Sequence, residues 1–326
     1  MAVRNEGCLS LPESMPSAVE HVQLSVCLIT YNHTRYIEGA IQSVLSQRLN
    51  VPWELIISDD CSTDGTPEIV RRYAAQHPNL IRPVLHERNL GSSAHLIELF
   101  RMARGEFIGY LEGDDRYTDE NKLQLQLDYL QVHPECAGCF HDLTVVDEKD
   151  DMVAPSFLTA QGSNFRSVVE QEHLLKSGEI GQMNSWVFRR RCIEDLPRWV
   201  ADFPLDKSLA FYFAEFGGWG YLSRRMSIYR LHPGGVYSPA PTHQQNQLLL
   251  RQAKILYGVP EYKAKYGEMM RLKICHYCLE LARAYGPAVG RRYWKCLFDY
   301  FRYQPRKISA LKVLVAEELF PRVRPR

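Results

Sequence analysis

Apolar runs and helix-spaced apolar positions alternate through the first third of the chain. Leu24–Thr30 is a mostly apolar run ending in Tyr31-Asn32-His33, and it predicts a buried central strand. Ile37, Ala40, Ile41, Val44 and Leu45 then recur at spacings of three and four, which predicts a helix. Residues 53–58 read as a second strand, stopped by the polar run Asp59-Asp60-Cys61-Ser62-Thr63-Asp64-Gly65-Thr66. Pro67 stands at a first helical position with Thr66 as cap, and Ile69, Val70 and Tyr73 give that helix a buried face. Residues 81–85 predict a third strand, made irregular by Pro83. Asn89-Leu90-Gly91 is a turn, residues 94–103 a helix, and residues 107–111 a fourth strand. This β-α-β-α-β-α-β order predicts a parallel sheet covered on both faces.

The pattern is looser afterwards. Leu123, Leu127 and Leu130 mark an amphipathic helix, and residues 138–142 a strand. Residues 147–170 have weak periodicity and read as a loop or lid. Residues 184–188 read as a strand, 205–216 as a helix and 221–229 as a strand. From about residue 242 strands cease. Helical patterns at 243–257, 261–285, 288–303 and 306–319 are punctuated by Pro260, Gly286-Pro287 and Pro305. Three regions are therefore expected: a loose extension over 1–21, an α/β domain over 22–238 and a helical region over 239–326.

Composition adds little until the C-terminal end is reached. The 326 residues are 45% hydrophobic and 24% charged, ordinary for a soluble globular protein. A formal net charge of +1 gives no reason to expect nucleic acid as a partner. The first twenty-one residues lack the apolar segment of a signal peptide, and no window approaches a membrane span, so a cytoplasmic location is expected. Nine cysteines include the pairs Cys136/Cys139 and Cys275/Cys278, but neither pair has the turn glycines of a zinc knuckle. Residues 286–326, in contrast, hold ten Lys/Arg against three Asp/Glu. There Tyr293, Trp294, Leu297, Phe298 and Phe301 lie beside Arg291, Arg292, Lys295 and Arg302. Two readings stand: peripheral contact with an anionic membrane surface near a lipid-linked acceptor, or packing on the catalytic domain or a second subunit, and so a homo-oligomer. Aromatic stripes at helical spacing are usually buried, which favours packing.

Candidate chemistry collects at the strand ends. In a parallel sheet Thr30-Tyr31-Asn32, Asp59-Asp60, Asn89 and Glu112-Gly113-Asp114-Asp115 all reach one edge, where open α/β sheets bind ligands. Three carboxylates so close repel one another unless a positive charge sits among them. A divalent cation carrying a diphosphate would satisfy them. The plain alternative is a solvated acidic turn. No G-x-G-x-x-G follows the first strand and no P-loop occurs, so neither standard phosphate cradle is present.

The ordered set ITYNH at 29–33, ISDDCSTDGT at 57–66, RNLG at 88–91, ARGEFIGYLEGDD at 103–115 and YRLHPGG at 229–235 resembles the family 2 glycosyltransferases, which have the GT-A fold. The resemblance covers about residues 22–238. The stretch LEGDDRYTDENKL is similar to a branch in which E-G-D-D replaces D-x-D-D. It implies an inverting, metal-dependent transfer, with Mn²⁺ or Mg²⁺, from a nucleotide sugar, chiefly a UDP-sugar, to a hydroxyl on a glycan, a lipid-linked intermediate or another acceptor. Cell-surface polysaccharide or glycoconjugate synthesis would be the setting.

Carried over by residue, the resemblance puts Asp59 on the nucleobase and Thr30 and Tyr31 on base or ribose, with Asn32, Asp60 and Asn89 in the same nucleotide pocket. Asp114 and Asp115 would hold ribose, metal and diphosphate, and His232 would close over diphosphate or metal. Arg230 would organise that last segment. Glu112 departs from the usual aspartate. Asp202 matches the short acidic motif that supplies the catalytic base, with Asp206 as the fallback. His141 and Trp186 each carry two readings, an acceptor contact or a structural role. Two rivals remain: a nucleotidyltransferase, which should carry a Gly-rich basic loop where Tyr31-Asn32-His33-Thr34 stands, and a non-catalytic nucleotide-sugar-binding protein.

Overall fold

Strand β1 (Leu24–Thr30) is buried almost throughout, because parallel strands covered on both faces leave no side for water. The structure is a computed structural model and describes residues 21–160, 168–177, 180–201, 206–234, 242–286 and 290–304. After β1 come α1 (Ile37–Leu45), β2 (Trp53–Asp59), α2 (Thr66–Gln76), β3 (Ile81–Leu85), α3 (Ser92–Met102), β4 (Phe107–Glu112), β5 (Arg116–Tyr117) and α4 (Lys122–Val132). The middle of the chain forms β6 (Cys136–Asp147), β7 (Met152–Ala154), α5 (Phe157–Ala160), β8 (Val168–Val169), α6 (Gln171–Ser177), a 3₁₀ turn (Met183–Ser185) and β9 (Val187–Arg189). Then follow α7 (Arg191–Glu194), α8 (Arg198–Ala201), α9 (Asp206–Phe213), β10 (Gly218–Leu231), α10 (Thr242–Gly258), α11 (Pro260–Tyr285) and α12 (Arg291–Tyr303).

The strands form one sheet in the order β3-β2-β1-β4-β9-β6-β10-β5, with β7 on β6 and β8 on β10. The first four are parallel, as the alternation predicted. Their register sets the site: Thr30 pairs with Asp59, Asp59 with Leu85, and Ile29 with Glu112. All four strands therefore stop at one level. Alternate residues face opposite sides. Leu24, Val26 and Leu28 pack with Ile41 of α1, Val70 of α2 and Leu127 of α4, whereas Cys27 packs with Phe100 of α3 and Phe213 of α9.

Two readings change. Residues 184–188 are not one strand: the 3₁₀ turn occupies Met183–Ser185, and β9 begins only at Val187. The loosely patterned 147–170 stretch holds β7 antiparallel to β6, with residues 161–167 outside the described set. The C-terminal helices fall close to their predicted spans, while 306–319 lies outside the described residues. They pack onto the α/β part through Phe211 of α9, whose ring meets Tyr262 and Tyr266 of α11 edge-on. The aromatic face of α12 divides. Tyr293, Leu297 and Tyr300 are buried against α10 and α11, whereas Trp294 (64%) and Phe298 (67%) are exposed. The two C-x-x-C pairs sit in different clusters, Cys136 and Cys139 beneath the sheet and Cys275 and Cys278 among the C-terminal helices. Among the described residues no helix is long and apolar enough to cross a membrane.

Candidate active site at the carboxyl edge of the sheet

The loop after β4 is seated by a glycine. Gly113 N–H donates to the Ile29 carbonyl at 2.8 Å. A Cβ at this position would lie 2.7 Å from Thr30 Oγ1 and 2.9 Å from His33 Nδ1, closer than carbon atoms tolerate. Only a residue without a side chain lets the acidic loop rest on the end of β1.

That seating brings Asp114 against two imidazoles. His232 Nε2 lies 2.9 Å from Asp114 Oδ2, and His33 Nε2 lies 3.7 Å from the same oxygen. His33, Asp114 and His232 can each offer one ligand atom, all within 4.8 Å of one another. Burial opposes ionisation of Asp114, but the His232 hydrogen bond and the His33 and His232 charges hold its carboxyl below the ordinary value. Burial pushes the His33 imidazole down, so its neutral, ligating form is favoured. One carboxylate and two imidazoles suit a divalent ion of Mn²⁺ type.

Asp115 has a different role from its neighbour. It is 3% exposed, its Oδ1 accepts the Arg230 N–H at 2.8 Å and its Oδ2 accepts from Asn184 Nδ2 at 2.6 Å. Expected among the metal ligands, it instead ties β10 and the 3₁₀ turn to the acidic loop. Arg230 is likewise consumed within the protein. Its guanidinium donates to the carbonyls of Asp114 (2.9 Å) and Asp147 (3.0 Å) and to Asp150 Oδ1 (2.8 Å). It also lies over the Tyr36 ring, which touches His232 on the other side.

A cleft of about 500 Å³ opens beside these groups. Thr30, Tyr31, Asp60, Asn89, Glu112, Asp114, Asp115 and Arg230 line it, as expected of the strand-end residues. Tyr31 is 46% exposed and presents a ring to the opening. Asp60 fixes the wall: its carboxylate accepts the N–H groups of Leu90 (2.7 Å) and Gly91 (3.0 Å), and Asn89 Nδ2 donates to its carbonyl. Glu112 stands in the cleft near Asp206, its carboxyl pushed up to about 8 by burial and then by the Asp114 charge. Asp206, the first residue of α9, completes the acidic lining, and burial raises its carboxyl as well.

Other expected residues lie elsewhere. Asp59 accepts from the N–H and hydroxyl of Ser62, folding back into its own loop. Asn32, at φ +56°, accepts from Thr63 N–H and braces the same loop. Neither lines the cleft. Trp186 is fully buried, donates Nε1–H to the Gly181 carbonyl at 2.7 Å and packs on Trp219. His141 is also fully buried, with Nδ1 2.6 Å from the Asp142 carbonyl and Nε2 unpartnered. Burial pushes it well below the ordinary histidine range. Asp202 lies outside the described residues. Sequence reasoning gave no role to His33, although the residue closes the ITYNH motif. Its signal was position, three places beyond the end of β1, the strand end that faces the acidic loop. A second groove of about 670 Å³, between α10, α11 and α12, is lined by Arg251, Lys254, Arg292 and Lys295 and contains none of the strand-end residues.

A mostly parallel α/β sheet with an acidic loop after its fourth strand and a histidine after its last has the architecture of the GT-A fold. Residues 25–196, just over half of the chain, match Glycosyl transferase family 2, and the chain belongs to that family. It is 37% identical to the Mycobacterium tuberculosis protein Rv1520 over 260 residues, 76% of this chain and 72% of that one. The fold is shared with Staphylococcus aureus TarS solved with UDP-GlcNAc, at TM-score 0.63 and 17% identity over 89% of this chain and 84% of that one. It is shared too with the mannosyltransferase PcManGT of Pyrobaculum calidifontis, solved with GDP-Man and Mn²⁺, at TM-score 0.53 and 18% identity over 94% and 90% of the two chains.

Proposed function

We propose that this enzyme transfers a sugar from a nucleotide-diphosphate donor, a UDP-sugar, to an acceptor hydroxyl with inversion at the anomeric carbon. The observation that carries this is one cleft lined both by Asp114, which pairs with His232 at 2.9 Å, and by Asp206. The family supports sugar transfer. The donors in the TarS and PcManGT structures support a nucleotide sugar, and the Mn²⁺ in PcManGT supports a metal.

Asp114 and His232 would hold a Mn²⁺ or Mg²⁺ ion, which supplies Lewis-acid stabilisation of the leaving diphosphate. Tyr31 offers an aromatic face to the base, and Asp60 holds the Asn89-Leu90-Gly91 wall of the nucleotide pocket. Asp206 is in place to accept the acceptor proton. As the acceptor oxygen bonds to the anomeric carbon, the bond from that carbon to the diphosphate oxygen breaks, and the hydroxyl proton passes to the Asp206 carboxylate. Asp202, four residues earlier, is the competing base. The exposed Trp294 and Phe298, flanked on α12 by exposed Arg291, Lys295 and Arg302, would rest on an anionic membrane surface and keep the enzyme near a lipid-linked acceptor.

Donor binding and slow donor hydrolysis across a panel of nucleotide sugars, with Mn²⁺, Mg²⁺ or EDTA, test the reading. One sugar nucleotide should bind and hydrolyse only with metal, and Asp114→Asn should abolish both. Binding of no nucleotide sugar under any metal condition would overturn it.

A further inference from the structure

We infer that His33, on the loop after β1, is a third protein ligand of the cation, so that the metal meets two imidazole nitrogens and one carboxylate oxygen. The inference rests on the proposed metal-dependent reading and adds a residue from a separate part of the chain.

The first argument is distance. His33 Nε2 stands 3.7 Å from Asp114 Oδ2, too far for a hydrogen bond and too close to admit a bridging water. Ligand atoms bound at about 2.1 Å around one ion stand roughly 3.0–3.4 Å from each other. His232 Nε2 is already 2.9 Å from Asp114 Oδ2, and all three atoms fall within 4.8 Å. Bringing the His33–Asp114 separation into that range takes a few tenths of an ångström. The two imidazole planes stand at 79° to each other, with centroids 6.3 Å apart.

The second argument is orientation. His33 Nδ1 lies 3.3 Å from Thr30 Oγ1, and Thr30 is 1% exposed. With Nδ1–H donated to that hydroxyl, the Nε2 lone pair faces Asp114. This is how outer-shell groups commonly set the tautomer of a ligating histidine. The backbone is fixed as well: His33 N–H donates to Thr66 Oγ1 at 3.0 Å, and the His33 carbonyl accepts from Tyr36 and Ile37. Gly113 leaves the space the ring occupies. The consequence is selectivity, since two imidazoles favour Mn²⁺ or Co²⁺ over Mg²⁺.

Pulsed EPR on the full-length protein with Mn²⁺, with and without UDP, counts the nitrogens on the ion without any turnover. Two imidazole couplings are expected in the wild type, and one in either His33→Gln or His232→Gln. Titration calorimetry should show Mn²⁺ affinity falling about 10-fold or more in His33→Gln, with Mg²⁺ affinity much less affected. A wild-type spectrum with a single nitrogen, lost in His232→Gln and unchanged in His33→Gln, overturns the inference and leaves the metal reading standing. Absence of Mn²⁺ binding with or without UDP overturns both. The wild-type spectrum decides even if a variant does not fold.

Discussion

Asp115 and Arg230, 115 residues apart, are joined by one hydrogen bond: the Arg230 backbone N–H donates to Asp115 Oδ1 at 2.8 Å in a buried setting. The neighbouring Asp114 carboxylate, by contrast, faces the two imidazoles. On the proposed reading adjacent acids divide the work, Asp115 building the site and Asp114 meeting the ion. Asp115→Asn would set an amide N–H₂ or a weaker acceptor against existing N–H donors. It should cost roughly 2–3 kcal/mol of stability, read as a lower denaturant midpoint. Mn²⁺ affinity of the folded fraction should change only a few-fold. Asp114→Asn should do the reverse, abolishing Mn²⁺ binding with little effect on the midpoint. Equal loss of Mn²⁺ binding in both variants would contradict this division.

The sheet and the cleft were legible to different degrees. The parallel half was readable because its strands are buried on both faces and its helices carry regular apolar spacing. The same regularity places Thr30, Asp59 and Glu112 at one edge, since equal strand ends follow from parallel register. Beyond that edge, sequence order does not say which of two adjacent side chains points outward. Asp59 folds back onto Ser62 and Asp60 lines the cleft; Asp115 accepts from Arg230 N–H and Asn184, and Asp114 faces the histidines. Trp186 and His141 carried an acceptor reading as well as a structural one. Both are fully buried; Trp186 packs on Trp219, a partner far along the chain that periodicity does not reveal.

A second expectation concerns pH and Lys122 rather than chemistry. Lys122 is fully buried, its ammonium has no hydrogen-bond partner among the described residues and sits 4.1 Å over the Tyr117 ring. The ring favours the charged form, but burial prevails and brings the group down to about 7. An unfolded lysine holds its proton to about pH 10.4. Between those values the unfolded chain binds more protons, so this group's contribution makes stability rise with pH through the window and fall toward neutrality. Lys122→Met should remove that slope and raise stability at neutral pH by roughly 2 kcal/mol. Denaturant melts of both proteins from neutral to alkaline pH check it; parallel curves would refute it.

The exposed stripe on α12 yields a third. Trp294 and Phe298 lie one helical turn apart, with Arg291, Lys295 and Arg302 on the same exposed face. Such a surface binds a bilayer through ring insertion and charge together. The protein should co-sediment with phosphatidylglycerol vesicles and not with phosphatidylcholine vesicles. Changing both Trp294 and Phe298 to serine should weaken binding about 10- to 100-fold, and salt at about 0.5 M should weaken it further. Unaltered sedimentation of the double variant would leave the stripe without this role.

The catalytic base is decided between two aspartates four residues apart. Asp206 opens α9 and lines the cleft with Glu112. Its Oδ1 accepts the Lys207 N–H at 2.7 Å, which helps to fix the side chain. α9 is itself braced by the hydrogen bond between Gln252 Nε2 and Ser208 Oγ at 2.9 Å, so Asp206 is carried on a packed element. A group that acts only in the transition state alters kcat and leaves donor binding alone. Asp206→Asn should therefore lower kcat by about 10²- to 10⁴-fold with donor affinity within a few-fold of wild type. Asp202→Asn should keep most of its activity. The opposite ranking would transfer the role to Asp202. Equal activity in both variants would remove a carboxylate base from the mechanism.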